Sequence, residues 1–260
     1  MTAASDFPPP LPPPLPVRAA RGPWGFWATL LWGFILMKLL NATQATIASV
    51  LATGTVALAK ERGQAVPSVD EIVAFIECPS LLGGACVLLP ALWLVIRLRH
   101  GLRFADYLAL RRFPVWQLAA WSALSIVIWA TAFHLAALSG DQSGKISNAK
   151  LAANSAPLLV IIFTHDFLAP VSEELLFRGF LFRGIAASRA GWIAAILIPN
   201  LLWVEGHPQY DAPVLAALFV IGCVYGLARH LSGSVLLPIL LHMAQNGLVT
   251  YATFFLRESG

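Results

Sequence analysis

Three charged side chains lie close together in the stretch SEELLFRG, residues 172–179. Glu173 and Glu174 are adjacent, and Arg178 follows Glu174 by four residues. On a helix, an acid four residues before a base forms a favourable pair, so we predict that Glu174 pairs with Arg178. Glu173 projects about 100° away around the helix and is left over. A carboxylate beside a second carboxylate, in a desolvated setting, is suited to take up and return a proton.

The surroundings of this stretch are apolar. Residues 152–171 before it carry few polar groups, and a charge at bilayer depth costs roughly 2.5–3.5 kcal/mol. The stretch by itself fits a catalytic carboxylate and a buried ion pair that locks helices together equally well. Pro170 is expected to kink or loosen the helix, which is compatible with a water-filled cavity. For His165 and Asp166, an interfacial or capping role is favoured over a place in that cavity.

Two further polar motifs lie on other apolar segments. Trp203 and His207 are four residues apart in WVEGHP, and His242 and Asn246 are four apart in LLHMAQN, so each pair shares one helical face. Two histidines, an asparagine and a spare glutamate favour a polar, catalytic site between helices. We expect both imidazoles to lie within about one water molecule of the Glu173 carboxylate, because a general base needs that reach.

The composition indicates what kind of scaffold positions these residues. Of 260 residues, 58% are hydrophobic and 12% are charged, whereas soluble domains carry about 25% charged residues. We predict an all-α, polytopic membrane bundle with about seven transmembrane segments. The segments are placed at about 24–58, 72–96, 115–138, 154–187, 190–207, 212–229 and 234–256.

The predicted organisation has three parts. Residues 1–22 form a proline-rich, disordered tail, 23–138 form the N-terminal transmembrane helices, and 139–260 form the core that carries the polar motifs. The stretch 100–113 is predicted to form an interfacial amphipathic helix. Arginines cluster beside the apolar runs, which places the N-terminus in the cytoplasm. The net charge of +4 therefore gives no reason to expect a nucleic-acid partner.

In their order and spacing, the three motifs resemble the CAAX protease and bacteriocin-processing (CPBP, or Abi) family of intramembrane glutamate endopeptidases. The family pattern is EExxxR, FxxxH and HxxxN, and it matches here at Glu173, Glu174, Arg178, Trp203, His207, His242 and Asn246. The resemblance extends over about 155–250. It departs from the family at Trp203, where phenylalanine is usual, although tryptophan is also a large aromatic residue.

The resemblance implies a mechanism and a site. It implies that Glu173 is the general base and His207 its partner in activating a water molecule. His242 and Asn246 would stabilise the oxyanion. Glu174 and Arg178, with Trp203 beside them, would support the site rather than do chemistry.

The resemblance also implies a substrate class and a location. It implies hydrolysis of a peptide bond in a membrane-associated protein or peptide, with lipidated and tail-anchored proteins among the candidates. The implied location is a bacterial inner membrane. It implies no metal and no cofactor.

Two alternatives stay open. A zinc protease would use Glu173, His207 and His242, since zinc accepts two histidines and one carboxylate, although the sequence has no HExxH motif. A non-enzymatic membrane protein, such as an immunity factor, scaffold or transporter, would use the same polar cavity. Sensitivity to chelators separates the first alternative, and a neutral effect of Glu173→Gln would favour the second.

Overall fold

The described chain is helical. The computed structural model describes residues 22–99, 101–139, 151–152, 154 and 156–255, and within these ranges it contains helices and no strands. This confirms the all-α class. The predicted tail, apart from its last residue, lies outside the described residues. The helices are α1 (Phe26–Glu61), α2 (Val69–Arg97), α3 (Phe104–Leu108), α4 (Val115–Ser139), α5 (described below), α6 (Gly191–Glu205), α7 (Ala212–Ser232) and α8 (Leu236–Phe255).

Helix α5 carries the first motif and is irregular. It consists of consecutive segments: α-helical Leu158–Ile161, π-helical Ile162–Leu168, α-helical Ala169–Glu174, π-helical Leu175–Leu181 and α-helical Phe182–Ala186. The first π segment ends just before the turn that contains Pro170, whose missing N–H would interrupt an α-helical ladder. The predicted loosening therefore takes the form of wider π turns, a feature that is frequent at functional sites.

The helices are built for a membrane. Four of the described helices are long and apolar enough to cross a bilayer, namely α1, α2, α7 and the first part of α4, Val115–Ala132. Helix α6 is apolar but short, and α5 and α8 carry the polar motifs. Large apolar side chains cover the outside of the bundle, as at Trp27 and Leu159, which are each 79% exposed. Such a surface is stable in lipid rather than in water, so this is an integral membrane protein.

The predicted helix over 100–113 is wrong in extent and in character. Within the described part of this stretch, residues 101–113, only the five residues of α3 are helical. Tyr107 and Leu108 are 1% and 0% exposed, and the Tyr107 ring stacks on Phe180 of α5 at 5.5 Å between centroids. Ala109, in a left-handed conformation with φ 55°, ends the helix. The apolar residues Tyr107 and Leu108 of this stretch thus pack into the core instead of lying on a surface helix.

Close packing of α1 against α5 depends on a small residue. At Gly184 of α5, a Cβ would lie 1.9 Å from the Thr29 hydroxyl oxygen of α1. That hydroxyl donates a hydrogen bond to the Trp24 carbonyl at 3.0 Å, so it is not free to move aside. Small residues allow such backbone approach between membrane helices.

We predict that Gly184→Ala destabilises the protein by about 1–3 kcal/mol, the usual cost of overpacking. The matched control is Gly54→Ala on α1, where a Cβ meets nothing within 4 Å and alanine improves helix propensity. The measurement is the thermal unfolding midpoint in detergent. Equal midpoints for the two variants would contradict the packing argument.

Candidate active site

A buried ion pair lies at the centre of the site. The Arg178 guanidinium donates from Nη1 to Glu174 Oε1 at 2.9 Å, and the two side chains are 2% and 0% exposed. This is the pairing that the four-residue spacing predicts. His242 of α8 reaches the same oxygen, with its Nδ1 atom 3.0 Å from Glu174 Oε1. One carboxylate oxygen thus joins the first motif to the third.

The second terminal nitrogen of the Arg178 guanidinium also has partners. Its Nη2 atom donates to the Gly222 carbonyl at 3.2 Å and to Asn200 Oδ1 at 3.4 Å. The guanidinium carbon lies 4.7 Å from the ring centre of Trp203 and 5.8 Å from that of Tyr225. A Cβ at Gly222 would come within 1.8 Å of Asn200 Oδ1, so only glycine leaves room for this arrangement. A buried cation is tolerated when its donors are paired in this way.

Trp203 brings the three motifs together around one ring. Its indole N–H donates to Glu173 Oε2 at 2.5 Å. Its ring packs edge-on against His207, at 5.0 Å and 67°, and against His242, at 5.5 Å and 86°. Glu173 on α5, His207 just after α6 and His242 on α8 therefore all contact the Trp203 side chain.

The neighbouring glutamates have different environments. Glu174 is fully buried and bound to a cation, whereas Glu173 is half-buried and accepts the Trp203 N–H. The difference follows from the helical rotation between adjacent residues. Only Glu173 combines contact with the cluster and partial access from outside.

The surroundings of His207 define its tautomer. Helix α6 ends at Glu205, as Pro208 predicts, and His207 follows with its Nδ1 atom 2.8 Å from the Trp203 carbonyl. A carbonyl oxygen only accepts, so Nδ1 carries the hydrogen. The Nε2 atom of a neutral imidazole is then left as an acceptor.

Asn246 contacts the irregular part of α5. Its Nδ2 atom donates to the His165 backbone carbonyl at 2.9 Å, within the first π segment. Asp166 beside it is 7% exposed and accepts from the Thr250 hydroxyl at 2.8 Å. His165 Nδ1 lies 2.8 Å from the same Asp166 oxygen. The sequence favours an interfacial or capping role for Asp166. In the structure, Asp166 is instead buried against α8.

Three contributors were not predicted. Asn200 stands out in the sequence as a polar residue within the apolar α6, three positions before Trp203. Tyr225 donates its hydroxyl to Gln245 Oε1 and packs beside His242 at 5.7 Å between ring centroids. Gly222 has no sequence signal, because its role depends on what two other helices place against it.

The zinc alternative can be compared with the donor arrangement. In the ranges that the structure describes, no group of three or more His, Cys, Asp or Glu side chains is placed to hold a metal ion. The three donors that zinc would need have other partners here: His242 contacts Glu174, His207 contacts a backbone carbonyl, and Glu173 contacts Trp203.

This geometry defines the class of the protein. It is a helical integral membrane protein with a buried cluster of a glutamate, an arginine and a histidine. Residues 154–248 match the family model for Rce1-like type II CAAX prenyl endopeptidases, and this range contains all three motifs. The finding confirms the resemblance to the CAAX protease family over this part of the chain.

Two curated relatives share part of the sequence. The membrane-embedded CAAX protease MroQ of Staphylococcus aureus (strain USA300) is 27% identical over 139 residues, which is 52% of this chain and 56% of that protein. An uncharacterized 24.3 kDa protein of Escherichia coli is 42% identical over 89 residues, or 33% of this chain and 41% of that protein. The chain thus spans about half the length of the curated relatives it matches. No solved structure matches significantly.

We predict that Arg178→Ala destabilises the protein by about 3–5 kcal/mol, because it leaves the Glu174 charge buried without its cation. Adding Glu174→Gln to that variant should restore part of the loss, since it removes the unpaired charge. The measurements are detergent-solubilised yield and the thermal unfolding midpoint. Arg189→Ala, at an exposed arginine that follows the same helix, is the control. Normal stability of Arg178→Ala would contradict the structural role.

Proposed function

We propose that this protein is an intramembrane endopeptidase that hydrolyses a peptide bond of a membrane-associated protein or peptide, with a water molecule activated by Glu173 and His207. The observation that carries the proposal is the convergence of Glu173, His207 and His242 on the Trp203 ring. The match of residues 154–248 to an endopeptidase family and the MroQ relative support the same class of reaction.

Glu173 is the better general base of the two glutamates. Glu174 is paired with Arg178 through Oε1 and is fully buried, so its carboxylate has no access from outside. Glu173 accepts a hydrogen bond from a neutral donor and is only half-buried. It is therefore placed to meet water and to accept a proton from it.

His207 is suited to share this task. With Nδ1–H held by the Trp203 carbonyl, its Nε2 atom is available to accept a hydrogen bond from the same water. As the water loses its proton to Glu173, its oxygen attacks the substrate carbonyl carbon and a tetrahedral oxyanion forms. When the C–N bond breaks, the proton passes from Glu173 to the leaving amine, so the base is regenerated.

His242 and Asn246 are the proposed oxyanion donors. His242 uses Nδ1 toward Glu174, so Nε2 is the ring nitrogen that would face the oxyanion. Asn246 has two amide hydrogens, one of which is used on the His165 carbonyl. The other is free to turn toward the oxyanion. Such donors typically contribute a factor of about 100–1000 in rate.

The remaining assignments belong to this proposal. The substrate is a lipidated or tail-anchored protein, or a membrane-associated peptide, and the protein resides in a bacterial inner membrane with its N-terminus in the cytoplasm. The arginines between α2 and α4 and at the ends of α5 and α7 support that orientation. Residues 139–260 form the catalytic core, 23–138 the accessory helices, and 1–22 a cytoplasmic tail.

We predict that Glu173→Gln retains normal folding and loses nearly all cleavage, because the amide keeps the size and polarity but accepts no proton. His207→Ala should behave similarly. Asn246→Ala should leave weak activity, about 100- to 1000-fold below the parent. The measurement is cleavage of a reporter tail in liposomes by the purified protein.

Two controls separate this mechanism from the alternatives. Each variant is checked for monodispersity, and the parent is assayed with a strong chelator, which should have little effect. Full activity of Glu173→Gln would contradict the glutamate mechanism. Loss of activity on chelation, with recovery on adding zinc alone, would move the assignment to a metalloprotease.

A separate prediction concerns the residue at which the chain departs from its family pattern. Trp203→Phe keeps an aromatic ring beside both imidazoles but removes the N–H that holds Glu173. A hydrogen bond to a charged group contributes about 1.5–3 kcal/mol. We therefore expect kcat to fall at least about tenfold with KM little changed, whereas Trp203→Ala should also lower the unfolding midpoint. An unchanged kcat for Trp203→Phe would show that the indole N–H does not position the base.

A further inference from the structure

A polar cavity lies at the arginine-rich end of the bundle, and none of the proposed catalytic residues lines it. It has a volume of about 310 Å³ and is formed where α5 and α7 end and the loop after α3 passes between them. Its lining includes the side chains of Arg111, Arg183, Arg229 and His230, with Phe182 among the apolar contacts. We call it the basic pocket.

The positive charges in the basic pocket are not balanced by nearby acids. In the described part of the chain, every ion pair involves Glu174 or Asp166, so none involves the three arginines of the pocket. Arg111, Arg183 and Arg229 line the same cavity, so their like charges lie around one space. Placing like charges together costs free energy unless an anion joins them.

Arg229 makes the pocket a built feature rather than a chance cluster of surface charges. It is only 4% exposed. Its Nε atom donates to the Arg178 carbonyl at 3.0 Å, and its guanidinium carbon lies 5.0 Å from the Phe182 ring centre. These contacts hold the guanidinium against the pocket wall while leaving donors that the backbone carbonyl does not use.

The position of the pocket identifies the source of the anion. It lies at helix ends, and Trp192 at the start of α6 stacks on His230 at 4.6 Å and 10°. Tryptophans concentrate at the level of the lipid headgroups. Large apolar side chains flank the pocket on the outside, including Ile193 and Leu231, which are 56% and 61% exposed. A cationic site among apolar side chains at headgroup level fits a lipid phosphate.

We propose that the basic pocket binds the phosphate headgroup of an anionic lipid such as phosphatidylglycerol. The phosphate offsets the repulsion among the three arginines and thereby stabilises the end of α5. Because Arg229 holds the Arg178 carbonyl, the bound lipid also stabilises the turn from which Arg178 reaches Glu174. The proposal does not depend on the enzymatic function.

The test is a lipid titration of thermal stability. The purified full chain in neutral detergent receives increasing phosphatidylglycerol, phosphatidylcholine or inorganic phosphate, and the unfolding midpoint is recorded. A ligand that binds the native state raises the midpoint in a saturable way. We expect saturable stabilisation by phosphatidylglycerol and little effect of the other two.

The variants separate the pocket from general charge attraction. Arg111→Gln/Arg183→Gln removes two exposed pocket arginines and should weaken the half-saturation by roughly 30-fold, since each basic residue near an anionic lipid contributes about 1 kcal/mol. Arg97→Gln/Arg103→Gln removes the same charge from exposed positions that do not line the pocket and should respond like the parent. If the double variant is unstable, Arg111→Gln alone serves, with an expected loss of about fivefold.

Three results would overturn the proposal. The first is no stabilisation of the parent by phosphatidylglycerol. The second is an equal loss in the pocket and control variants, which would indicate attraction to the whole basic face. The third is equal stabilisation by inorganic phosphate, which would assign the pocket to a soluble anion.

Discussion

The buried charge of Arg178 is the constraint on which the rest of the site depends. A guanidinium that is 2% exposed within a membrane bundle must have its donors paired, because an uncompensated charge there is strongly destabilising. Glu174 on the same helix supplies the countercharge, and α6 and α7 supply the Asn200 amide oxygen and the Gly222 carbonyl. The position of one side chain thus sets the approach of three helices. Because Gly222 has no side chain, the Asn200 amide has room to reach the guanidinium.

While Arg178 and Glu174 are paired with each other, the adjacent Glu173, the proposed general base, has a different environment. Glu173 projects in another direction around α5 and meets the Trp203 indole. Trp203 also covers the guanidinium, 4.7 Å from its ring centre. One aromatic residue therefore covers the Arg178 guanidinium with its ring face and holds the half-buried Glu173 carboxylate through its N–H. This division between a sealed and an accessible carboxylate is what a general base beside a fixed charge requires.

The irregular helix α5 reconciles backbone pairing with an open site. Within a bilayer, backbone groups need partners inside the protein, and the chain stays helical through Pro170 by adopting π turns. In the first π segment, the His165 carbonyl accepts from Asn246 of α8, while Asp166 accepts from Thr250, about one turn further along α8. These contacts fix the register of α8 against α5, and that register carries His242 to Glu174.

Much of the scaffold follows from the sequence, because helix periodicity and hydropathy are local properties. The seven apolar segments are helical, and the Glu174–Arg178 pair forms on its four-residue spacing. The stretch 100–113 misled because its pattern fits a surface helix equally well, and only packing against Phe180 decides that Tyr107 is buried. Asn200, Gly222 and the His165 carbonyl join the site across 22, 44 and 81 residues of sequence. Tertiary structure alone decided these contacts, because the rotation of each helix about its axis is set by its neighbours and not by its own spacing.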